Sequence, residues 1–283
     1  MLYIRSILNN FVRVDKNRNT MLQEALCMPA VFVGHGSPML ALEDDEVTRG
    51  LAALGQKIIS DFGKPRAILM VSAHWYTRGN LVQKTEAPKQ VFDMYGFPQR
   101  LYEVKYSPAG CAALSDALLG IDGLDAAIDN SWGIDHGAWT PLVHVFPKAD
   151  VPVVQLSVNA SLSPQACFQI GTLLEPLRHA GFLVMGSGNI VHNLRRVNWE
   201  SQHGSPEALA FEQFVTDAVQ AADYPSLFAY QNHPHARYAV PTNDHFLPLF
   251  YVWGAAEGEH VTVFNRICNL DSMSMTGFAF GMD

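Results

Sequence analysis

Short apolar runs alternate with longer amphipathic stretches along this chain. The runs at 30–34, 67–73, 151–158, 182–187 and 261–265 are continuous rather than alternating in polarity. That pattern predicts strands covered on both faces. Helix-period segments lie over 43–62, 109–120, 164–180, 206–222 and 245–255. The segment 163–181 carries its own start and stop, with Ser163 to cap, Pro164 in the first turn and Gly181 after the end. Strand-then-helix order predicts the α/β class, with a central, mostly parallel sheet and helices on both faces. The stretch 77–107 reads as loops plus an extra hairpin or edge strand. No repeat, low-complexity tract or linker divides the chain. We therefore expect one domain over 28–283, preceded by an N-terminal extension, 1–27, in which Met21 and the following Met28 are possible alternative starts.

Composition narrows the classes. Of 283 residues, 48% are apolar and 16% charged, enough for a sizeable core. The formal net charge of -8, with no Lys/Arg run, argues against nucleic acid as a partner. No segment offers the ~18 uninterrupted apolar residues of a membrane span. The four cysteines (Cys27, Cys111, Cys167, Cys268) are scattered with no CxxC pair. This disfavours a disulfide framework or a cysteine-built zinc site and suits a reducing cytoplasm.

Candidate chemistry lies at the strand ends. In open α/β sheets, functional groups collect at the carboxyl edge. His35 follows the run 30–34 between two glycines, in VFVGHGSP. His74 follows 67–73, in ILMVSAHW. GSGNIVHN leaves 182–187 and reaches His192. Three strand ends thus deliver imidazoles toward one rim. IDHGAWTPL (134–142) adds His136 and VPTNDHFLPL (240–249) adds His245. Imidazole is the commonest metal ligand, and a histidine set with few carboxylates suits one Fe(II) or Zn(II) ion rather than Mg(II) or Ca(II). By spacing alone the third ligand is His245 or its neighbour Asp244. Asp135 is either an orienting partner of His136 or a helix cap. His144 reads as a packing residue, His179, His203 and His260 as surface residues, and His233 and His235 as a loop pair. Rival constellations are weak: no GxSxG elbow, no GxGxxG or GxxxxGK loop, and no HExxH occurs.

VFVGHGSPML, SAHW, YGFP, DHGAWTPL, GSGNIVHNLR and PTNDHFLPL, in this order, resemble the class III extradiol ring-cleavage dioxygenase superfamily. More narrowly they resemble its 4,5-DOPA extradiol dioxygenase-like members, over roughly residues 28–275. The resemblance implies a single α/β domain with a mixed sheet and a non-haem iron or zinc at the strand ends. It implies His35, His74 and His245 as ligands. His192 is implied as the catalytic base, a residue that in some members approaches or joins the metal, and His136 as a group near substrate and oxygen. The expected partners are a catechol and O2, with the chain a monomer or homodimer. Relatives often read His-Pro where this chain has Val240-Pro241, a departure that bears on which catechol is accepted. The alternative reading is a zinc-dependent hydrolase on the same scaffold.

Overall fold

The computed structural model describes residues 27–282. The N-terminal extension expected over 1–27 therefore lies almost wholly outside the described residues. A six-stranded sheet forms the centre. Its strands are β1 (Ala30–Gly34), β2 (Ala67–Ser72), β3 (Val153–Gln155), β4 (Phe182–Gly188), β5 (Val261–Phe264) and β6 (Gly277–Phe280). The spatial order is β3-β2-β4-β1-β6-β5. The first four strands are mutually parallel, while β6 and β5 add antiparallel at one edge.

The continuous apolar runs behave as their pattern requires. Alternate residues of each strand enter two separate cores. Ala30, Phe32, Leu69, Val71 and Val184 face one side, covered by helices α3 (Pro164–His179), α4 (Pro206–Gln220) and α5 (Pro248–Ala255). Val31, Val33, Ile68, Met70 and Met185 face the other, under α1 (Glu46–Phe62) and α2 (His136–Val145). Each fully buried Phe or Leu contributes about 1.5–3 kcal/mol. The α3 signals hold: Ser163 Oγ accepts from Ala166 N, and Gly181 takes φ 85° beyond the helix end.

Two expectations change. The run 151–158 is not one strand; β3 stops at Gln155, and Val158–Asn159 pairs separately with Tyr76–Thr77. Of the hairpin or edge strand expected in 77–107, a strand forms and the hairpin does not. Asn80–Val82 pairs in parallel with the distant Ala126–Ile128. The strand β6 lies outside the sequence reading altogether, because its Gly-Phe-Ala-Phe core is too short to separate from surrounding apolar turns.

Register sets the rim. Gly34 of β1 lies opposite Gly188 of β4, and Ser72 of β2 opposite Ser187. The residues following these pairs emerge side by side at the carboxyl edge. No described helix is long and apolar enough to cross a membrane.

Candidate active site

His35 leaves β1 with its N–H bonded to Gly188 O at 3.2 Å. Its flanking glycines have separate causes. A Cβ on Gly34 would strike the Met275 backbone at 2.6 Å, and Gly36 holds a left-handed φ of 56°. His74 leaves β2, with Ala73 N bonded to Ser187 O at 3.0 Å. His192 follows β4 and is tied by its N–H to Ala239 O at 2.9 Å. His136 is the first residue of α2. His245 precedes α5 and accepts Asn189 N on its carbonyl at 2.9 Å.

All five rings converge. The His35 ring centre lies 5.0 Å from His74, 5.7 Å from His136 and 5.1 Å from His245. His74 and His136 are 3.8 Å apart, and His192 stacks parallel on His245 at 3.6 Å. Ligand atoms of His35, His74 and His136 all lie within 4.8 Å of one another, a grouping that could hold a metal ion. Gly137 makes the crowding possible. A Cβ there would meet His74 Cδ2 and Ser72 Oγ at 2.7 Å.

Polar neighbours bias which ring nitrogen is free at several of these histidines. Pro141 sits inside α2 and lacks the N–H that would bond Gly137 O one turn back. Ser187 supplies that missing donor, its hydroxyl donating to Gly137 O. With its proton committed, Ser187 Oγ accepts from His35 Nδ1 at 2.9 Å, leaving His35 Nε2 bare. His245 Nδ1 stands 2.6 Å from Asp244 Oδ2, and its buried Nε2 has no hydrogen-bond partner. His74 Nδ1 lies 3.2 Å from Asp93 Oδ2, and His136 Nδ1 lies 3.0 Å from Asp93 Oδ1. His35 Nε2 and His74 Nε2 face each other at 3.1 Å. With the buried His245 Nε2 left without a partner beside this close pair, the donor set fits a divalent metal of the kind imidazoles bind.

Burial keeps most of the rings neutral. It is the main cause that holds His35 and His192 well below the ordinary histidine value, with His74 and His245 respectively adding repulsion. Burial also lowers His136 and His245, against the pull of Asp93 and Asp244. In His74 burial acts downward too, but Asp93, Asp135 and Asp244 outweigh it and the value rises. Asp93 and Asp244 are pushed up by burial, yet the facing imidazoles hold both below the usual carboxylate range.

Sequence reasoning found the five histidines and missed the carboxylate between two of them. Asp93 lies two residues before YGFP, outside every strand-end pattern. Asp135, the residue weighed for orienting His136, instead caps α2 at Ala138 N and accepts from Ser72 Oγ and Trp132 Nε1. Asn189 and Asn193 satisfy backbone groups, at Gly36 N and Ser274 O, and at Tyr238 O and Arg195 N. Ser187 satisfies Gly137 O and also reaches the site at His35 Nδ1. His144 bonds Leu40 O at 2.8 Å, away from the cluster, and His233 stacks on Phe214.

The chain is similar to several known proteins. The chain is 38% identical to a 4,5-DOPA dioxygenase extradiol of Escherichia coli (strain K12), over 90% of this chain and 95% of that one. It is 36% identical to a protein of the same name from Beta vulgaris, over 80% of this chain and 85% of that one. A crystal structure of an uncharacterized protein from Escherichia coli K12 superimposes with a TM-score of 0.77 at 35% identity, covering 90% of this chain and 100% of that one. Nothing among these relatives supports the hydrolase alternative. Residues 29–281 match the model of the catalytic LigB subunit of aromatic ring-opening dioxygenase, and the chain belongs to that family.

Proposed function

We propose that this protein is a metal-dependent extradiol dioxygenase that opens a catechol ring of the DOPA class beside its diol, giving a ring-opened semialdehyde. The observation that carries the reading is the convergence of Nε2 atoms at one rim: His35 facing His74 at 3.1 Å, with the unpartnered His245 Nε2 beside them. His35, His74 and His245 would hold one Fe(II) or Zn(II) ion. When bound, such an ion supplies Lewis-acid activation of the diol and a docking position for O2.

The chain's own residues supply the proton handling. His192 is held neutral by burial and by its stack on His245. A neutral imidazole at pH 7 is matched to taking a hydroxyl proton from the substrate. Asp244 lies close enough to favour the imidazolium that results. His136, almost fully buried, would present its Nε2 to substrate or oxygen. The crowded, largely dry site strengthens these contacts. One distance favours a second arrangement. The His35–His74–His136 grouping would make His136 the third ligand in place of His245. Metal content of His136→Ala and His245→Ala separates the two.

A cytoplasmic setting fits the four free thiols, and the working unit would be a monomer or homodimer of the 28–283 domain. The test of the function is anaerobic reconstitution with Fe(II), followed by oxygen-electrode assay with a panel of catechols. We expect O2 uptake matched by a yellow semialdehyde. A fully metal-loaded protein that consumes no O2 with any catechol would refute the assignment.

A further inference from the structure

We propose that Asp93 is a positioning residue that fixes the tautomer of two site imidazoles at once. The inference rests on the metal-site reading above and deepens it. The Asp93 carboxylate stands between two rings, with Oδ2 3.2 Å from His74 Nδ1 and Oδ1 3.0 Å from His136 Nδ1. Oδ1 also accepts the backbone N–H of His136 at 2.9 Å, which locks the carboxylate to the start of α2. The side chain is 12% exposed, so water competes little for its oxygens.

The loop carrying Asp93 is anchored immediately before it. Val91 N bonds Ile134 O at 2.8 Å, and Trp139 Nε1 donates to Val91 O at 3.0 Å. The Phe92 ring packs on Trp139 at 5.5 Å. Trp139 belongs to α2, the helix that begins with His136. One helix therefore presents the imidazole and also holds the loop whose acid orients it.

An ionised carboxylate only accepts hydrogen bonds. Two carboxylate oxygens, 3.2 Å from His74 Nδ1 and 3.0 Å from His136 Nδ1, repel a lone pair on either Nδ1 and so favour the proton there by charge, without an aligned hydrogen bond at His136 Nδ1. Both Nε2 atoms then remain as lone pairs aimed into the site. Ser187 and Asp244 do the same for His35 and His245, but each serves one ring. Asp93 is the carboxylate shared between two rings. An asparagine cannot replace it, because a carboxamide has one oxygen and two rings require two. One ring would face an NH2 group, accept from it through Nδ1, and carry its proton on Nε2, where it blocks coordination.

The experiment uses the full chain labelled with 15N-histidine, metal-free, with nitrogen shifts recorded for wild type and Asp93→Asn. We expect His74 and His136 both in the Nδ1–H form in wild type. In Asp93→Asn at least one should move to Nε2–H, and zinc affinity by titration calorimetry should fall roughly 10–100-fold. An Nε2–H form of either ring in wild type overturns the proposal, even if the variant does not fold. Unchanged tautomers or unchanged zinc affinity in a folded variant also overturn it. Failure of the wild-type chain to bind zinc would count against the metal site itself, while the tautomer measurement still judges Asp93.

Discussion

Ser187 Oγ lies 2.9 Å from His35 Nδ1, although 152 positions separate the two residues in sequence. The contact is directional because the serine proton is committed to Gly137 O, a carbonyl left free by Pro141. A helix-interior proline, unfavourable locally, thus orders a hydroxyl that orients the His35 ring. Replacing Ser187 with Ala strands both Gly137 O and His35 Nδ1 in a buried place. We expect a stability loss of about 1–3 kcal/mol, read by denaturant unfolding of the apo protein. Metal affinity should fall roughly 10–100-fold in the same sample.

His192 is expected to act on protons rather than to hold the ion. His192→Gln should keep about one metal per chain while turnover drops by roughly 10²–10⁴-fold. Metal analysis and oxygen uptake on one preparation decide the matter. Loss of the metal together with activity would make His192 a ligand.

Acid should destabilise the apo protein. His35, His136, His192 and His245 have values lowered in the fold, so the unfolded chain binds their protons first as pH falls below about 6.5. Each ring that stays neutral then removes stability at about 1.4 kcal/mol per pH unit. His74, with a raised value, acts the other way: its contribution is complete below about 6.5 and is lost as pH rises through its folded value. The four outnumber the one. Calorimetry of metal-free protein should show Tm falling between pH 7 and pH 5. A flat or rising Tm over that interval would contradict the neutral cluster.

Substrate choice should respond to position 240. Val240 is buried, and its neighbours Tyr238 and Ala239 accept hydrogen bonds from Asn193 and His192. An apolar side chain there offers no hydrogen bond near His192. We expect Val240→His to change the ratio of kcat/KM for DOPA over 4-methylcatechol by about tenfold in favour of DOPA, the worth of one added polar contact. Parallel kinetics with the two catechols measure it. An unchanged ratio would remove this position from specificity.

Much of the fold was legible from local pattern. Continuous apolar runs marked the strands of a sheet covered on both faces, and the cap of α3 was written in Ser163, Pro164 and Gly181. The histidines at 35, 74 and 192 could be placed on one rim because parallel strands end at a common edge. Period and punctuation are properties of neighbouring residues, so a linear reading captures them. Other features arose only when distant segments met. The antiparallel β6 depends on pairing with β1 across most of the chain. Asp93 lies on a loop with no periodic signal, and its reach to His74 and His136 depends on how Trp139 anchors Val91. Ser187 was locally indistinguishable from a turn serine, and Asp135 from an orienting acid. Residue types and strand order brought the imidazoles together; long-range packing decided which polar partner each ring meets, because such a partner comes from a distant segment and leaves no trace in the ring's sequence neighbours.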